Sequence, residues 1–473
     1  MINWKYSLYK NYTIMLILSC FVMYFPVVAS AETNKTVAEY NQEILSNPNN
    51  AEAYNGRGDV YFEQDDYDKA IDDYTRAITI NPNYAEAYKN RGVAYYRKHD
   101  YAKAFADFTR AIQVDPQYAA GYNWLAVYYE KREEYDKAIE YYDKAIQLKP
   151  EDAFYYNRGG YYYNRKEYDR AISDYSQAIQ LNPKHKYAYY ERGKAYICLN
   201  KYDKAIEDFN KAIQLNPKHA EAYNERGNLY YEQNDYDKAI ADYTKAIQLN
   251  PQNDVYYYNR GNSYYRKKDY DKAITDHTKA IQLNPQSAEY YCERGYSYYW
   301  KNDYDKAIAD YTKAIQLNPQ HASSYRGRGI IYGNEKKEYD KAITDLSKSI
   351  QINPKAVASY SHRGAYYAKK GEYKKAIADY NKAIQIDPQF VWVYRELGVN
   401  YNIIGEYDKA IECLNKANQL SPQDYYTYHE LGVAYFYKRE YNKAKSYFMK
   451  SLQLNPHNEV ARHNIEQLQK IGY

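Results

Sequence analysis

Residues 220–253 read AEAYNERGNLYYEQNDYDKAIADYTKAIQLNPQN. Tyr223, Gly227 and Tyr230 recur at i, i+4 and i+7, which places them on one stripe of a first helix. Tyr236, Ile240, Tyr243 and Ile247 form the corresponding stripe of a second helix. Asn234 and Asp235 supply the turn between them, with Asp235 positioned to cap the second helix and Asp237 adding negative charge at its positive end. Pro251 closes the stretch, because the residue before a proline is pushed out of the helical region. The 34 residues predict one hairpin of two amphipathic helices.

The same stretch recurs along the chain. Of the fourteen prolines, thirteen fall at a regular step of 34 residues from Pro48 to Pro456, with one step of 33 and one of 35. Twelve repeats follow from this step: 51–84, 85–118, 119–151, 152–185, 186–219, 220–253, 254–287, 288–321, 322–356, 357–390, 391–424 and 425–458. A period of this length marks a stacked array of helical hairpins, in which each hairpin buries its apolar face on the next. Tyrosine stands at the fourth, eleventh and seventeenth places of every repeat, places after the turn being counted one later in the 35-residue ninth repeat, and these rings are expected in the core. The eighth place is always glycine or alanine. A helical glycine costs about 1 kcal/mol relative to alanine, so this place predicts a close approach, with Ala239 and Ala246 as the small residues opposite Gly227.

The spacing Tyr-x3-Gly-x2-Tyr, then Ala-x3-Tyr-x2-Ala and a closing proline, resembles the tetratricopeptide repeat. The resemblance covers residues 51–458. It implies an all-α fold, a right-handed superhelical solenoid of antiparallel helix pairs whose first helices line a concave groove. It also implies a non-catalytic scaffold for protein partners. Some members grip a terminal carboxylate with lysine, asparagine and arginine side chains on three consecutive first helices. Here Asn224, Asn228 and Asn259 come nearest to that set, but Glu289 and Glu293 stand where the cations are needed.

One departure carries a prediction of its own. The family's leucine at the seventh place is arginine in nine repeats, and those nine carry aspartate at the twenty-third place, as in Arg226 with Asp242. The three repeats with Leu125, Leu397 and Leu431 carry Tyr141, Cys413 and Tyr447 instead. Only pairing within a repeat accounts for all twelve, so an arginine–aspartate bridge is expected between the two helices of each arginine repeat.

Residues 1–31 carry Lys5 and Lys10 but no acid, an apolar run from Ile14 to Val28, and Ala29-Ser30-Ala31. These are the marks of a secretory signal peptide, and the chain is expected to be exported, periplasmic or extracellular, with membrane contact only if the segment stays uncleaved. Residues 32–50 form a leader and capping helix, and 459–473 a C-terminal capping helix. The formal net charge is +4 with acids and lysines alternating, which gives no support to nucleic acid as partner. Cys198, Cys292 and Cys413 lie three repeats apart and are expected to be unpaired packing residues.

Signal, leader and cap leave no room for a catalytic domain, and no cofactor, catalytic or metal motif is found. Arg57-Gly58-Asp59 spells an adhesion tripeptide but belongs to the repeat, so it is expected to be helical and partly buried. His277 replaces a tyrosine and is expected in the core. The candidate partner-binding residues are those at variable first-helix places: Tyr96, Tyr156, Tyr163, Tyr190, Asn224, Asn228, Tyr231, Tyr258, Asn262, Tyr265, Tyr296, Tyr299 and Trp300. Rings on rigid helices with few lysines among them have the composition of interface hot spots. A protein or peptide is the expected partner. A glycan stacked on the rings, or self-assembly of the array, is the alternative.

Overall fold

The computed structural model describes residues 35–473; the expected signal peptide lies outside them. The described residues divide into two compact units, ending at Ala222 and beginning at Tyr223, each a stack of antiparallel helix pairs. Every regular element among them is a helix. Each of the twelve repeats supplies a first helix of 13 residues, as in Asp254–Arg266, and a second of 14, as in Tyr236–Leu249. No helix among the described residues is long and apolar enough to cross a membrane.

The turn works as the residues suggest, with one addition. The Asp235 side chain accepts from the Lys238 backbone N–H at 3.2 Å, capping the second helix. Asn234 takes a φ of 62°, the left-handed region, and this lets the Asp235 N–H reach back to the Tyr230 carbonyl at 2.8 Å. The fifteenth place does this in eleven repeats and Lys337, the sixteenth, in the longer ninth, yet only Gly371 and Gly405 are glycines there. The other ten repeats accept the strain because the closing hydrogen bonds and the packing of both helices leave the turn no other path.

The core differs from the expectation. Ala239 and Ala246 are fully buried, and between them Tyr243, at the twenty-fourth place, is 1% exposed. Every repeat buries its twenty-fourth residue in this way, from Tyr74 to Phe448, including His277. The ring of Tyr243 explains the glycine, since a Cβ on Gly227 would lie 2.9 Å from its Cε1. The close approach at Gly227 is thus to an aromatic face and not to the two alanines.

The invariant tyrosines Tyr223, Tyr230, Tyr236 and Tyr264 are only half-buried, which corrects their assignment to the core. Their neighbour supplies the reason. The Arg226 guanidinium lies over the Tyr223 ring at 5.6 Å and the Tyr230 ring at 5.9 Å. The fourth and eleventh rings flank an arginine, and the attraction of a cation for an aromatic face does not require full burial.

The predicted bridge is present in all nine arginine repeats. In the sixth, Arg226 Nη2 donates to Asp242 Oδ1 at 2.6 Å and Nε to Oδ2 at 2.8 Å. Burial nevertheless raises the Asp242 carboxyl above the ordinary range, opposed by Arg226. A contact that the sequence reading missed extends the bridge to a third helix. Arg260 Nη1 donates to the Thr244 hydroxyl of the preceding repeat at 3.0 Å, and Arg294, Arg328 and Arg363 do the same to Thr278, Thr312 and Ser347. Where Leu125 replaces the arginine, the hydroxyl of Thr109 is buried without a partner. There Tyr141 occupies the aspartate's place and stacks on Tyr129, centroids 5.4 Å apart and planes at 11°. Tyr447 stacks on Tyr435 in the twelfth repeat at 5.3 Å and 3°.

At the two termini, Val37–Ser46 is a helix with a capping box from Thr36 and Glu39, and its Tyr40 ring covers Gly56. The helix Glu459–Lys470 buries Ala461 and Leu468 and turns a mostly polar face outward. The link before Asp152 is one residue shorter than its equivalents, and there the second helix of the third repeat lies against less of the next first helix than its counterparts in the first, second and fourth repeats do.

Candidate functional site

The fifth, ninth, twelfth and thirteenth places of the first helices carry the candidate residues. Each is fixed by a neighbour on the same or the next repeat. In the first unit Tyr96 is buried, 6% exposed, against Tyr101 at 5.1 Å and Trp124 at 6.1 Å. Tyr156 and Tyr190 are half-buried and pack on His185 at 4.9 Å and His219 at 4.6 Å. Tyr163, also half-buried, lies edge-on to Tyr168, with its hydroxyl 3.8 Å from Cys198 Sγ.

In the second unit the amides form a connected network. Asn224 and Asn228 are each 7% exposed. Asn259 Nδ2 donates to both of their Oδ1 atoms, at 3.0 and 3.2 Å, and the Tyr243 hydroxyl donates to Asn228 Oδ1 at 2.7 Å. Asn262 Oδ1 lies 3.0 Å from His277 Nε2. Burial lowers the pKa of this imidazole to about 3, so His277 is neutral and donates when Nε2 carries the proton. These asparagines join the ninth place to the core ring behind it and, through Asn259, to the next repeat.

The same network appears in the first unit with a charge inside it. Asp59 accepts from the Tyr74 hydroxyl at 2.8 Å and from Asn90 Nδ2 at 3.0 Å, while Arg57 pairs with Asp73. The adhesion-like tripeptide is therefore helical and inward-facing. Burial pushes the Asp59 carboxyl up to about 6 from its ordinary 3.8, against the opposing Tyr74 bond. An acid whose folded pKa is raised releases its proton later in the folded state, so stability falls as pH rises from about 4 to about 6, by up to about 3 kcal/mol. Asp59→Asn, which copies Asn228, is expected to stabilise the protein at pH 7 and to flatten that decline. Urea midpoints at pH 4 and pH 7 check this; an equal pH dependence in both proteins would refute it.

Along the twelfth place Tyr231, Tyr265 and Tyr299 are half-buried. They lean on Tyr236, Tyr270 and Tyr304 of their own repeats at 5.5, 5.7 and 5.9 Å. Tyr265 and Tyr264 are thus both half-buried, where Tyr264 was expected in the core. Tyr258 packs on Tyr290 at 4.9 Å, and Tyr296 accepts from Arg326 Nη2 at 3.1 Å. Trp300 is exposed. Near Tyr296 stands Glu293, whose carboxyl is pushed up to about 8 by burial and by the charge of Glu289. Glu289 in turn lies 2.8 Å from His321 Nε2. Among the described residues no three His, Cys, Asp or Glu side chains converge as a metal site requires. The arrangement offers aromatic faces and hydrogen-bonding groups on rigid helices, which suits capture by non-covalent contact.

A family model described as TPR repeat matches residues 58–99, 193–234, 227–268, 366–403 and 400–438. Models described as tetratricopeptide repeat match 85–118, 119–152, 153–185, 255–287, 288–321 and 425–458, and 174–207. The chain belongs to the tetratricopeptide repeat family. No curated protein matches it. Among solved structures it is similar to one titled as the APC/C hetero-tetramer Cut9-Hcn1, at 16% identity over 92% of this chain and 99% of that one, TM-score 0.45. It is also similar to pilF of Pseudomonas aeruginosa, at 26% identity over 44% and 94%, TM-score 0.41. The MamA protein follows at 27% identity over 36% and 93%, TM-score 0.34. The tetratricopeptide repeat is generally a non-catalytic scaffold of the kind typical of protein–protein interaction. The matches leave out 322–365, which includes the ninth repeat with its longer turn.

Proposed function

We propose that this tetratricopeptide repeat chain is an exported scaffold that holds a protein or peptide along the face of its first helices. The observation that carries the reading is the row of Tyr231, Tyr265 and Tyr299, one per repeat, each partly exposed on a rigid helix and braced by a second ring. Braced aromatic rings lose little conformational freedom on binding, which is why such residues dominate interface energetics. Tyr258 and Tyr296 extend the same face. Support for export comes from residues 1–31, with their basic start, apolar run and small-residue end.

A displayed library of random dodecapeptides tests the reading. Because each ring packs on its neighbour, replacement by leucine separates binding from stability better than truncation. Tyr231→Leu, Tyr265→Leu and Tyr299→Leu together are expected to keep the helical circular dichroism and to weaken binding of the selected peptides by about tenfold or more, the loss of one to two hot-spot residues. Peptides that bind the folded triple variant as tightly as the parent would show that these rings serve packing alone.

A further inference from the structure

Trp300, at the thirteenth place of the eighth repeat, is 55% exposed, yet its indole is held in position. Nε1 donates to the Tyr265 hydroxyl at 2.8 Å. One face lies against Tyr270, centroids 6.4 Å apart and planes at 9°. Tyr299 stands beside it nearly perpendicular, at 5.6 Å and 78°. The ring is oriented before any ligand arrives, and its N–H is already spent.

An acid borders this corner. Glu335 comes from the turn that is one residue longer in the ninth repeat, and it is exposed. No cation among the described residues pairs with it. After burial, its charge raises the phenols of Tyr299 and Tyr304.

We propose that the corner of Trp300 and Tyr299 beside Glu335 docks an arginine side chain of the partner; this rests on the peptide-binding reading above. An aromatic face attracts a cation, and indole does so best. A guanidinium is flat and stacks on a ring, where an ammonium meets it as a point charge. The indole N–H is committed to Tyr265, so the indole itself has no donor left for the carbonyl or hydroxyl oxygens of a proline-rich or sugar ligand. The chain already makes the same contact internally one repeat earlier. There Arg266, also at the thirteenth place, lies over the Tyr236 ring at 5.7 Å with its Nε 3.1 Å from the hydroxyl. At Trp300 the equivalent place holds a ring, and the cation has to come from elsewhere.

Fluorescently labelled (Gly-Arg)4, (Gly-Lys)4 and (Gly-Pro)4 peptides, titrated at 0.15 M salt by anisotropy, test the proposal. The arginine peptide is expected to bind about threefold or more tighter than the lysine peptide of equal charge. Trp300→Leu is expected to weaken the arginine peptide about fivefold and to abolish that preference, while Trp300→Phe retains part of it. Glu335→Gln is expected to weaken both basic peptides by about twofold. Circular dichroism confirms that each variant is folded. Equal binding of arginine and lysine peptides, tightest binding of the proline peptide, or an unaffected Trp300→Leu overturns it. Library peptides that need Tyr231, Tyr265 and Tyr299 but bind Trp300→Leu unchanged would overturn this inference and leave the wider reading standing.

Discussion

Truncating Tyr243 to alanine is expected to cost about 3 to 5 kcal/mol, the range for removing a large buried ring. The side chain is 1% exposed, fills the space over Gly227 and donates to Asn228. Alanine would leave a cavity bounded by Ala239 and Ala246, which are already small and cannot collapse into it. It would also remove one of the two donors to Asn228 Oδ1. Tyr243→Phe keeps the ring and loses only the hydroxyl, so its expected cost is about 1 kcal/mol. A linear array unfolds segment by segment, so the loss is best read as reduced hydrogen-exchange protection in Tyr236–Leu249, together with the urea midpoint. A Tyr243→Ala protein with exchange protection in that helix close to the parent's would remove the twenty-fourth place from its role as the core.

Removing one partner of a bridge is the second large effect. Asp310→Ala is expected to destabilise by about 3 kcal/mol, because a guanidinium kept mostly from water loses its counter-ion. The Arg294 side chain is 17% exposed and gives two hydrogen bonds to Asp310, leaving only its bond to Thr278 and the faces of Tyr291 and Tyr298. Combining Arg294→Leu with Asp310→Tyr is expected to recover all but about 1 kcal/mol, since the third and twelfth repeats already use a leucine with a stacked ring at these two places. The residue of the cost falls on Thr278, which would be left as Thr109 is. Chemical denaturation of the parent, Arg294→Leu, Asp310→Tyr and the double variant closes the cycle. Additive losses in the double variant would show that the two places are not coupled, and that the twelve-fold correlation has another origin.

Some of the candidate site was legible in sequence and some was not. The rings at the twelfth place stand out as candidates because they vary while their neighbours do not. The asparagines were found for the wrong reason: a variable polar residue on the first helix reads as a contact for a ligand, but Asn224 and Asn228 spend their acceptors on Asn259 and Tyr243. A signal was present, since asparagine at the fifth place goes with asparagine at the sixth place of the next repeat in Asn55 with Asn90, Asn123 with Asn157 and Asn224 with Asn259. Asp59 and Glu293 were passed over as candidates because a carboxylate on a helix ordinarily reads as solvated.

By itself the sequence determined the period, the two-helix make-up of each repeat, the Asp235 cap and the arginine–aspartate pairing. Twelve copies in one chain act as their own comparison, and each of these features depends on residues within a single hairpin. Tertiary structure alone decided which tyrosines are buried. Five tyrosines in the hairpin 220–253 have the same chemistry, and only the packing of its helices in three dimensions separates the ring sealed behind Gly227 from those flanking Arg226. Stacking likewise brings Thr244 to Arg260, sixteen residues away across a repeat boundary, and turns Trp300 outward with its N–H spent on Tyr265. Contacts of that kind depend on the angle and distance between successive pairs, which no single repeat encodes.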